Sequence, residues 1–157
     1  MNAAIRPPVA AALLLLAMSL PGPARAAAPT GHYVVSGTGN SVTILDTKSK
    51  LTWTKVTRLG TWAEAKATCA GLGATIGGTG WRLPTFKELL TLLDLSVTTV
   101  AADQDRIDPV FGAIGMAGHW SATPDSSDPT RAWNVNFYYG DTYPYVITNQ
   151  NAYKCVR

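Results

Sequence analysis

The ten residues 80–89, Gly-Trp-Arg-Leu-Pro-Thr-Phe-Lys-Glu-Leu, constrain the fold more than any other stretch of the chain. Pro84 fixes its own φ and favours extended backbone at Leu83, because its ring crowds the preceding residue. Thr85 can then cap a helix, and Glu88 can reach back to the N–H of that cap, which completes a capping box. The stretch therefore predicts an extended segment that turns at Pro84 and continues as a helix.

Trp81 and Arg82, which precede this turn, have two interpretations. They could form part of a ligand surface. Alternatively, the tryptophan is buried and the arginine is satisfied by a nearby carboxylate or by backbone carbonyls, which is the commoner arrangement. We assign a structural role to six residues of the motifs discussed below: Trp81, Arg82, Pro84, Glu88, Trp120 and Trp133.

Residues 1–26 have the pattern of a secretory signal peptide. A single positive charge precedes the apolar run 9–20, and Ala24-Arg25-Ala26 fits the small-x-small cleavage pattern. The run is too short and wrongly flanked for a membrane span. We expect cleavage after Ala26, with Ala28 as the alternative. The mature protein would then be periplasmic, secreted or on the cell surface, with no insertion into the membrane.

Cleavage changes the charge of the chain, which has 13 basic and 10 acidic residues in full. It removes Arg6 and Arg25 and no acidic residue, so 11 basic residues remain against 10 acidic ones. No block of lysine and arginine is left that would indicate nucleic-acid binding. The low charged fraction, 15%, suits a rigid exported domain rather than a disordered one.

The two cysteines, Cys69 and Cys155, are an even pair in a chain expected to reach an oxidising compartment. We predict one disulfide that ties the middle of the chain to its end. A redox or metal-binding pair is the alternative, but the spacing is far from Cys-x-x-Cys and no histidine cluster accompanies it.

The remaining pattern predicts an α+β domain. Residues 27–41 form a lead-in with a short strand, and segments 41–45 and 51–56 form a hairpin. A second capping box starts a helix over 61–72. One face of that helix carries Trp62, Ala65, Cys69 and Leu72. Four strand segments, 119–123, 132–137, 143–147 and 152–157, predict a closing β-meander.

Candidate chemical sites are sparse. Asp103, Asp105 and Asp108 suggest a calcium loop, but Ile114 stands where an EF-hand needs a bidentate glutamate. A solvated loop is the expected structure there, and a calcium site of another type is the alternative. His119 has no second ligand at a metal spacing. Its neighbour Ser121 would share a strand face with it without forming a triad, and no paired glutamates indicate glycoside hydrolysis. We therefore predict no catalytic residues, no metal and no cofactor.

The best candidate surface is the loop pair 124–131 and 138–145, which gathers four tyrosines with Arg131 and Asp141 beside them. Tyrosine side chains provide large contact areas at a low entropic cost. Alternate tyrosines could equally well pack the sheet. The candidate ligand-binding residues are Arg131, Asn134, Tyr138, Tyr139, Asp141, Tyr143 and Tyr145. A glycan or a cell-envelope protein is the expected partner, and a structural or assembly subunit, including an oligomer, is the alternative.

Several runs together resemble a known family over about residues 42–157. They are Asp46…Leu51-x-Trp53, Thr61-Trp62-Ala63-x-Ala65…Cys69, Trp81-Arg82-Leu83-Pro84-Thr85-x-Lys87-Glu88-Leu89, Ile107-Asp108, Trp120-Ser121-x-Thr123, Ala132-Trp133-x-Val135-x-Phe137 and Cys155-Val156-Arg157. The chain resembles the C-terminal domain family of the collagen-like bacterial adhesin Lcl. The expected division is a signal peptide at 1–26, a lead-in at 27–41 and this domain at 42–157.

The resemblance implies a C-type-lectin-like fold, with two helices packed on a twisted antiparallel sheet and distant similarity to formylglycine-generating enzymes. It also implies an adhesin-like role, because the adhesin domain is implicated in binding sulfated polysaccharides through a basic surface. Here the lectin calcium tripeptides Glu-Pro-Asn and Gln-Pro-Asp are absent, and Val135 follows Trp133-Asn134 where a lectin motif has an acid. Calcium-dependent sugar binding is therefore not predicted.

Overall fold

A computed structural model describes residues 27–97, 105–112 and 114–157. The predicted signal peptide and Asp103 lie outside the described residues. The strands are β1 (Tyr33–Ser36), β2 (Thr43–Asp46), β3 (Thr52–Thr54), β4 (Arg58–Gly60), β5 (His119–Pro124), β6 (Arg131–Asn136), β7 (Asp141–Val146) and β8 (Asn151–Tyr153). The helices are α1 (Trp62–Gly71), α2 (Gly73–Ile76) and α3 (Phe86–Leu90), with 3₁₀ turns at Gly39–Ser41 and Pro109–Phe111. In the described ranges, no helix is long and apolar enough to cross a membrane.

The strands form two sheets. The smaller has the order β1-β2-β3 and is antiparallel, which confirms the predicted hairpin. Its turn forms because the Asp46 carboxylate accepts from the backbone N–H of Lys48 at 2.8 Å and from the Ser49 hydroxyl at 2.7 Å. This is an Asx-type turn, in which a short polar side chain substitutes for a backbone acceptor.

The larger sheet has the order β4-β8-β5-β6-β7. Strands β5, β6 and β7 form the predicted meander, but the predicted fourth meander strand is wrong: β8 lies between β4 and β5 and is parallel to β5. The closing segment, residues 154–157, instead hydrogen-bonds to the small sheet and to the residues that precede α3. Cys155 accepts from the N–H of Thr54 at 2.9 Å, and Val156 bridges to Trp53 and Arg82. Such distant pairings leave no local pattern in the sequence.

Both predicted capping boxes are present. Thr61 N–H donates to Glu64 Oε2 at 2.8 Å at the start of α1, and Thr85 N–H donates to Glu88 Oε2 at 2.7 Å at the start of α3. Each box satisfies backbone donors that a helix start leaves unpaired. α3 is five residues long, and Leu90 on it is exposed.

The predicted disulfide is confirmed between Cys69 and Cys155, whose Cα atoms are 5.3 Å apart. It joins α1 to the closing segment within one of two buried clusters. That cluster contains Ala65, Cys69, Leu72, Trp81, Leu83, Trp120, Ala132, Tyr153 and Cys155. The other contains Ile44, Trp53, Leu89, Leu92, Ile107, Phe111, Ile114, Val135, Phe137 and Val156. Over the residues that the structure describes, the fold is thus α+β, mainly sheet, with three short helices and one disulfide.

Candidate ligand-binding surface

The β6–β7 hairpin carries all seven candidate ligand-binding residues. Its antiparallel register places Tyr143 opposite Asn134 and Tyr145 opposite Ala132, so these four side chains share one face. The ring of Tyr145 lies 6.0 Å from that of Tyr143 and 5.8 Å from that of Trp120. Both tyrosines are half-buried, whereas Asn134 is fully buried beneath them.

The tip of the hairpin is the most exposed part of this surface. Tyr139 is 53% exposed, and its ring meets that of Tyr138 edge to face at 4.9 Å. The buried Asn136 side chain fixes both residues, because its Oδ1 accepts from the Tyr138 N–H at 2.9 Å and the Tyr139 N–H at 3.1 Å. Asp141 is exposed and lies opposite Asn136 in the register. The tip therefore presents two held aromatic rings beside a carboxylate.

Arg131 lies at the other end of the hairpin. It pairs with Val146, and its Nε is 3.2 Å from a carboxylate oxygen of Asp128. Five residue steps along β6 separate Arg131 from Asn136, which is about 17 Å at the rise of an antiparallel strand. The structure thus divides the candidate residues into a tip (Tyr138, Tyr139 and Asp141), a strand face (Asn134, Tyr143 and Tyr145) and a base (Arg131).

One further aromatic, Trp62, lies beside the strand face but was not among the predicted site residues. It is half-buried at the start of α1, and its Nε1–H donates to the Ser121 carbonyl at 2.7 Å. Its backbone N–H donates to the carbonyl of Ile147, just after β7, at 3.2 Å. The Lys66 ammonium lies 4.1 Å from the centre of its ring. Helical periodicity assigned Trp62 to the buried face; only the packing shows that its ring lies at the rim.

The Trp81–Glu88 stretch contacts the hairpin through the ring of Phe86 but contributes none of the candidate ligand-binding residues. Trp81 is buried, and its Nε1–H donates to the Gly77 carbonyl at 2.8 Å. Arg82 contacts both carboxylate oxygens of Glu88, at 2.6 and 2.7 Å. This pairing is the main reason that the pKa of Glu88 falls to about 2. Pro84, which the turn requires, is buried and accepts from the N–H of Ala122 at 2.6 Å.

The other two tryptophans assigned a structural role differ in exposure. Trp120 is fully buried and donates from Nε1 to the Gly60 carbonyl at 3.0 Å. Trp133 is half-buried and packs its ring at 5.1 Å from that of Phe86 on the opposite face of the sheet from Tyr143. Both faces of the hairpin therefore carry aromatic side chains.

His119 and Lys154 are titratable side chains that are fully buried in the described part of the chain. His119 packs edge to face on Phe137. The pKa of this histidine is lowered to about 3, mainly because the side chain is buried and, to a smaller extent, because Lys154 is charged. The pKa of Lys154 is lowered to about 7, mainly because its side chain is buried and, to a smaller extent, because Arg58 and Lys55 are charged. Neither side chain reaches the surface, so neither is placed to act on a bound substrate.

The hydroxyl of Ser121 takes part in two hydrogen bonds within the sheet. It donates to the Trp133 carbonyl at 2.7 Å and accepts from the Thr123 N–H at 3.2 Å. Across the described ranges, no three His, Cys, Asp or Glu side chains group closely enough to hold a metal ion.

A cavity of about 300 Å³ lies elsewhere, between the N-terminal segment and the end of α3. It is lined by Ala27, Ala28, Pro29, His32, Tyr33, Thr91, Leu92, Leu93, Asp94 and Asp108. Within it, the Ala28 N–H donates to Asp108 Oδ2 at 2.6 Å, so the cavity wall includes the start of the described chain. No local sequence pattern indicates this cavity, because its walls come from three separate segments.

These features define a small disulfide-bonded α+β domain that presents aromatic residues along one edge hairpin. The chain belongs to the Lcl C-terminal domain family, whose sequence profile matches residues 42–157. This confirms the resemblance noted from the motifs. A comparison with curated proteins gives no match.

Proposed function

We propose that this protein is an exported, non-catalytic binding module that recognises a glycan or another cell-envelope ligand through its β6–β7 hairpin. The observation that carries the proposal is the arrangement of four tyrosines on the tip and strand face, where Tyr139 is 53% exposed and the other three are half-buried. Rings held in this way can stack on a sugar or protein surface without losing much conformational freedom.

The electrostatics favour contact by stacking and hydrogen bonding over attraction by bulk charge. After the predicted cleavage, 11 basic residues face 10 acidic ones. Arg131 is partly neutralised by Asp128, and Asp141 adds a negative charge near the tip. A polyanion would find no extended positive surface on the hairpin. A neutral or weakly charged ligand suits it better.

The finer features of the proposal follow from family membership. We infer a C-type-lectin-like arrangement, in which two helices pack on a twisted sheet while the loops carry the binding chemistry. We also infer an adhesin-like location outside the cytoplasm. The disulfide between Cys69 and Cys155 supports export, because such bonds persist in oxidising compartments.

The proposal that the module is non-catalytic is supported by the surroundings of Ser121 and His119, the side chains considered as nucleophile and base. Ser121 is buried and hydrogen-bonded to Trp133, and the buried His119 packs against Phe137. Both cysteines are joined in the disulfide, so neither is a free thiol.

A second candidate function is assembly with a protein partner through β1. This strand is at the edge of the small sheet, and Val34 and Val35 on it are 45% and 48% exposed. Leu45, opposite Val34, is 36% exposed. An exposed apolar edge strand offers both unpaired backbone groups and apolar area to another chain.

A glycan-array screen of the purified exported protein, with and without calcium, tests the first candidate. We expect binding that is independent of calcium and lost on Tyr143→Ala or Tyr139→Ala. Val35→Ser, which changes β1, is the matched control and should bind as the wild type does. Binding that survives both tyrosine changes would refute the hairpin assignment.

The assembly candidate predicts the opposite pattern. A partner captured by crosslinking in the envelope, or a larger species in solution, should be lost on Val35→Ser and kept in Tyr143→Ala. N-terminal sequencing of the exported protein tests the signal peptide itself. The expected first residue is Ala27.

A further inference from the structure

Met116 lies against the hairpin tip in a contact that the binding proposal does not use. Its side chain is 63% exposed, and the hydroxyl of Tyr139 donates to its sulfur at 3.6 Å. The chain has three methionines, and the other two, Met1 and Met18, lie in the predicted signal peptide. Residues 27–157 therefore contain one thioether, that of Met116.

The buried side chain of Asn136 holds the two contacting residues in place. Its Nδ2–H donates to the Met116 carbonyl at 2.8 Å, and its Oδ1 accepts from the N–H of Tyr138 and of Tyr139. One side chain, 3% exposed, therefore fixes the backbone on both sides of the contact. The sulfur and the hydroxyl meet because both backbones are tied to this asparagine, even though they are 23 residues apart in sequence.

We propose that Met116 is a redox modification site, at which a hydroperoxide converts the thioether to a sulfoxide that Tyr139 then holds. A sulfur lone pair attacks one oxygen of the peroxide, the O–O bond breaks and an S–O bond forms. The leaving oxygen takes the displaced proton and departs as water when hydrogen peroxide is the oxidant. The sulfur loses two electrons and the peroxide gains them.

The exposure of Met116 supports its oxidation, because the susceptibility of a thioether depends on how easily the oxidant reaches it. The second part of the proposal, that Tyr139 holds the sulfoxide, follows from acceptor strength. A thioether sulfur is a weak hydrogen-bond acceptor, whereas a sulfoxide oxygen is a strong one. Oxidation of Met116 therefore strengthens a contact already formed by Tyr139, and it makes the exposed tip more polar. The inference is independent of which ligand the hairpin binds.

The site is tested by treating the purified full chain with millimolar hydrogen peroxide and following the tryptic peptide 107–131, which contains Met116. Fragmentation of that peptide locates the added oxygen. We expect folded protein to be oxidised at Met116 within about threefold of the rate in the urea-unfolded chain, as for an exposed thioether. A rate about tenfold slower or more would overturn the assignment. Met116→Leu should gain no oxygen at this position.

The role of Tyr139 needs a separate readout, the change in melting temperature caused by oxidation. In Tyr139→Phe the sulfoxide has lost its donor, so oxidation should lower the melting temperature by about 3 °C more than in wild type. Tyr138→Phe removes a neighbouring hydroxyl and should behave as wild type does. An equal oxidation-induced change in wild type and Tyr139→Phe would show that Tyr139 does not hold the sulfoxide.

Discussion

The buried Lys154 should make the stability of this protein rise with pH in the alkaline range. Its ammonium donates to the backbone carbonyl of Lys55 at 2.5 Å and to that of Phe111 at 3.4 Å. Full burial, together with the nearby positive charges of Arg58 and Lys55, lowers its pKa from 10.5 to about 7. Burial in a poorly solvating interior penalises the charged form most, and this explains the direction of the shift.

The sign of the pH effect follows from the proton count of each state. Between pH 7 and 10.5, the unfolded chain keeps the proton on Lys154 while the folded protein has lost it. The unfolded state thus binds more protons, and the free energy of unfolding increases with pH by up to about 1.4 kcal/mol per pH unit. From pH 7 to 9.5 the expected gain is about 3 kcal/mol. Below pH 7 this contribution is constant, since both states are protonated.

Urea unfolding of the wild type and of Lys154→Met between pH 7 and 9.5 measures this gain. The methionine is similar in size and cannot titrate, so its curve should lack the rise of about 3 kcal/mol. Lys48→Met removes an exposed lysine and should keep the wild-type rise. The upper limit of pH 9.5 stays below the pKa of about 10 at which tyrosine ionises in the unfolded chain. Above that pH, Tyr33 would also change the stability, because burial and nearby carboxylates raise its pKa in the folded protein to about 12. Parallel curves for the wild type and Lys154→Met would refute the reasoning.

Three further predictions concern stability. Replacing Cys69 and Cys155 by alanine should lower the free energy of unfolding by about 4 kcal/mol, because the bond closes a loop with a sequence separation of 86 residues; urea titration checks this, and a loss below about 1 kcal/mol contradicts it. Glu88→Gln should cost about 1–2 kcal/mol at pH 7, since the pair with Arg82 is partly screened by solvent. That difference should fade between pH 4.5 and about 2, where the wild-type carboxylate becomes protonated; a difference that persists at pH 2 argues against the pair. Gly140→Ala should lower the melting temperature by about 4 °C, because φ is +76° and the new Cβ would lie 2.5 Å from an atom of the Arg106 side chain; an unchanged melting temperature contradicts it.

Much of the fold could be predicted because its signals are local. A capping box needs only residues three positions apart, so Thr61 with Glu64 and Thr85 with Glu88 could be recognised directly. The first hairpin follows from a short polar turn between two strand-like segments. The disulfide needed one further inference, the oxidising compartment, and with two cysteines there was only one intramolecular pairing to predict.

The candidate surface could be predicted only as a group of residues. The sequence analysis placed Arg131 and Tyr139 in two loops that were expected to form one surface. The register of β6 and β7 places them at opposite ends of a hairpin. Within the strand face, Asn134 is fully buried. Trp62 was omitted because helical periodicity assigns a residue to a face and cannot tell the centre of that face from its rim.

The sequence by itself determined the elements whose hydrogen bonds close within a few residues: the two capped helices, the turns, the first hairpin and the β5–β7 meander. It also determined the covalent link. Only the tertiary structure decided where β8 inserts, that Lys154 is buried between Lys55 and Phe111, and that Met116 touches Tyr139. Each of these depends on a contact between residues more than 20 positions apart, whose formation depends on how the whole core packs. A local sequence pattern carries no information about that packing.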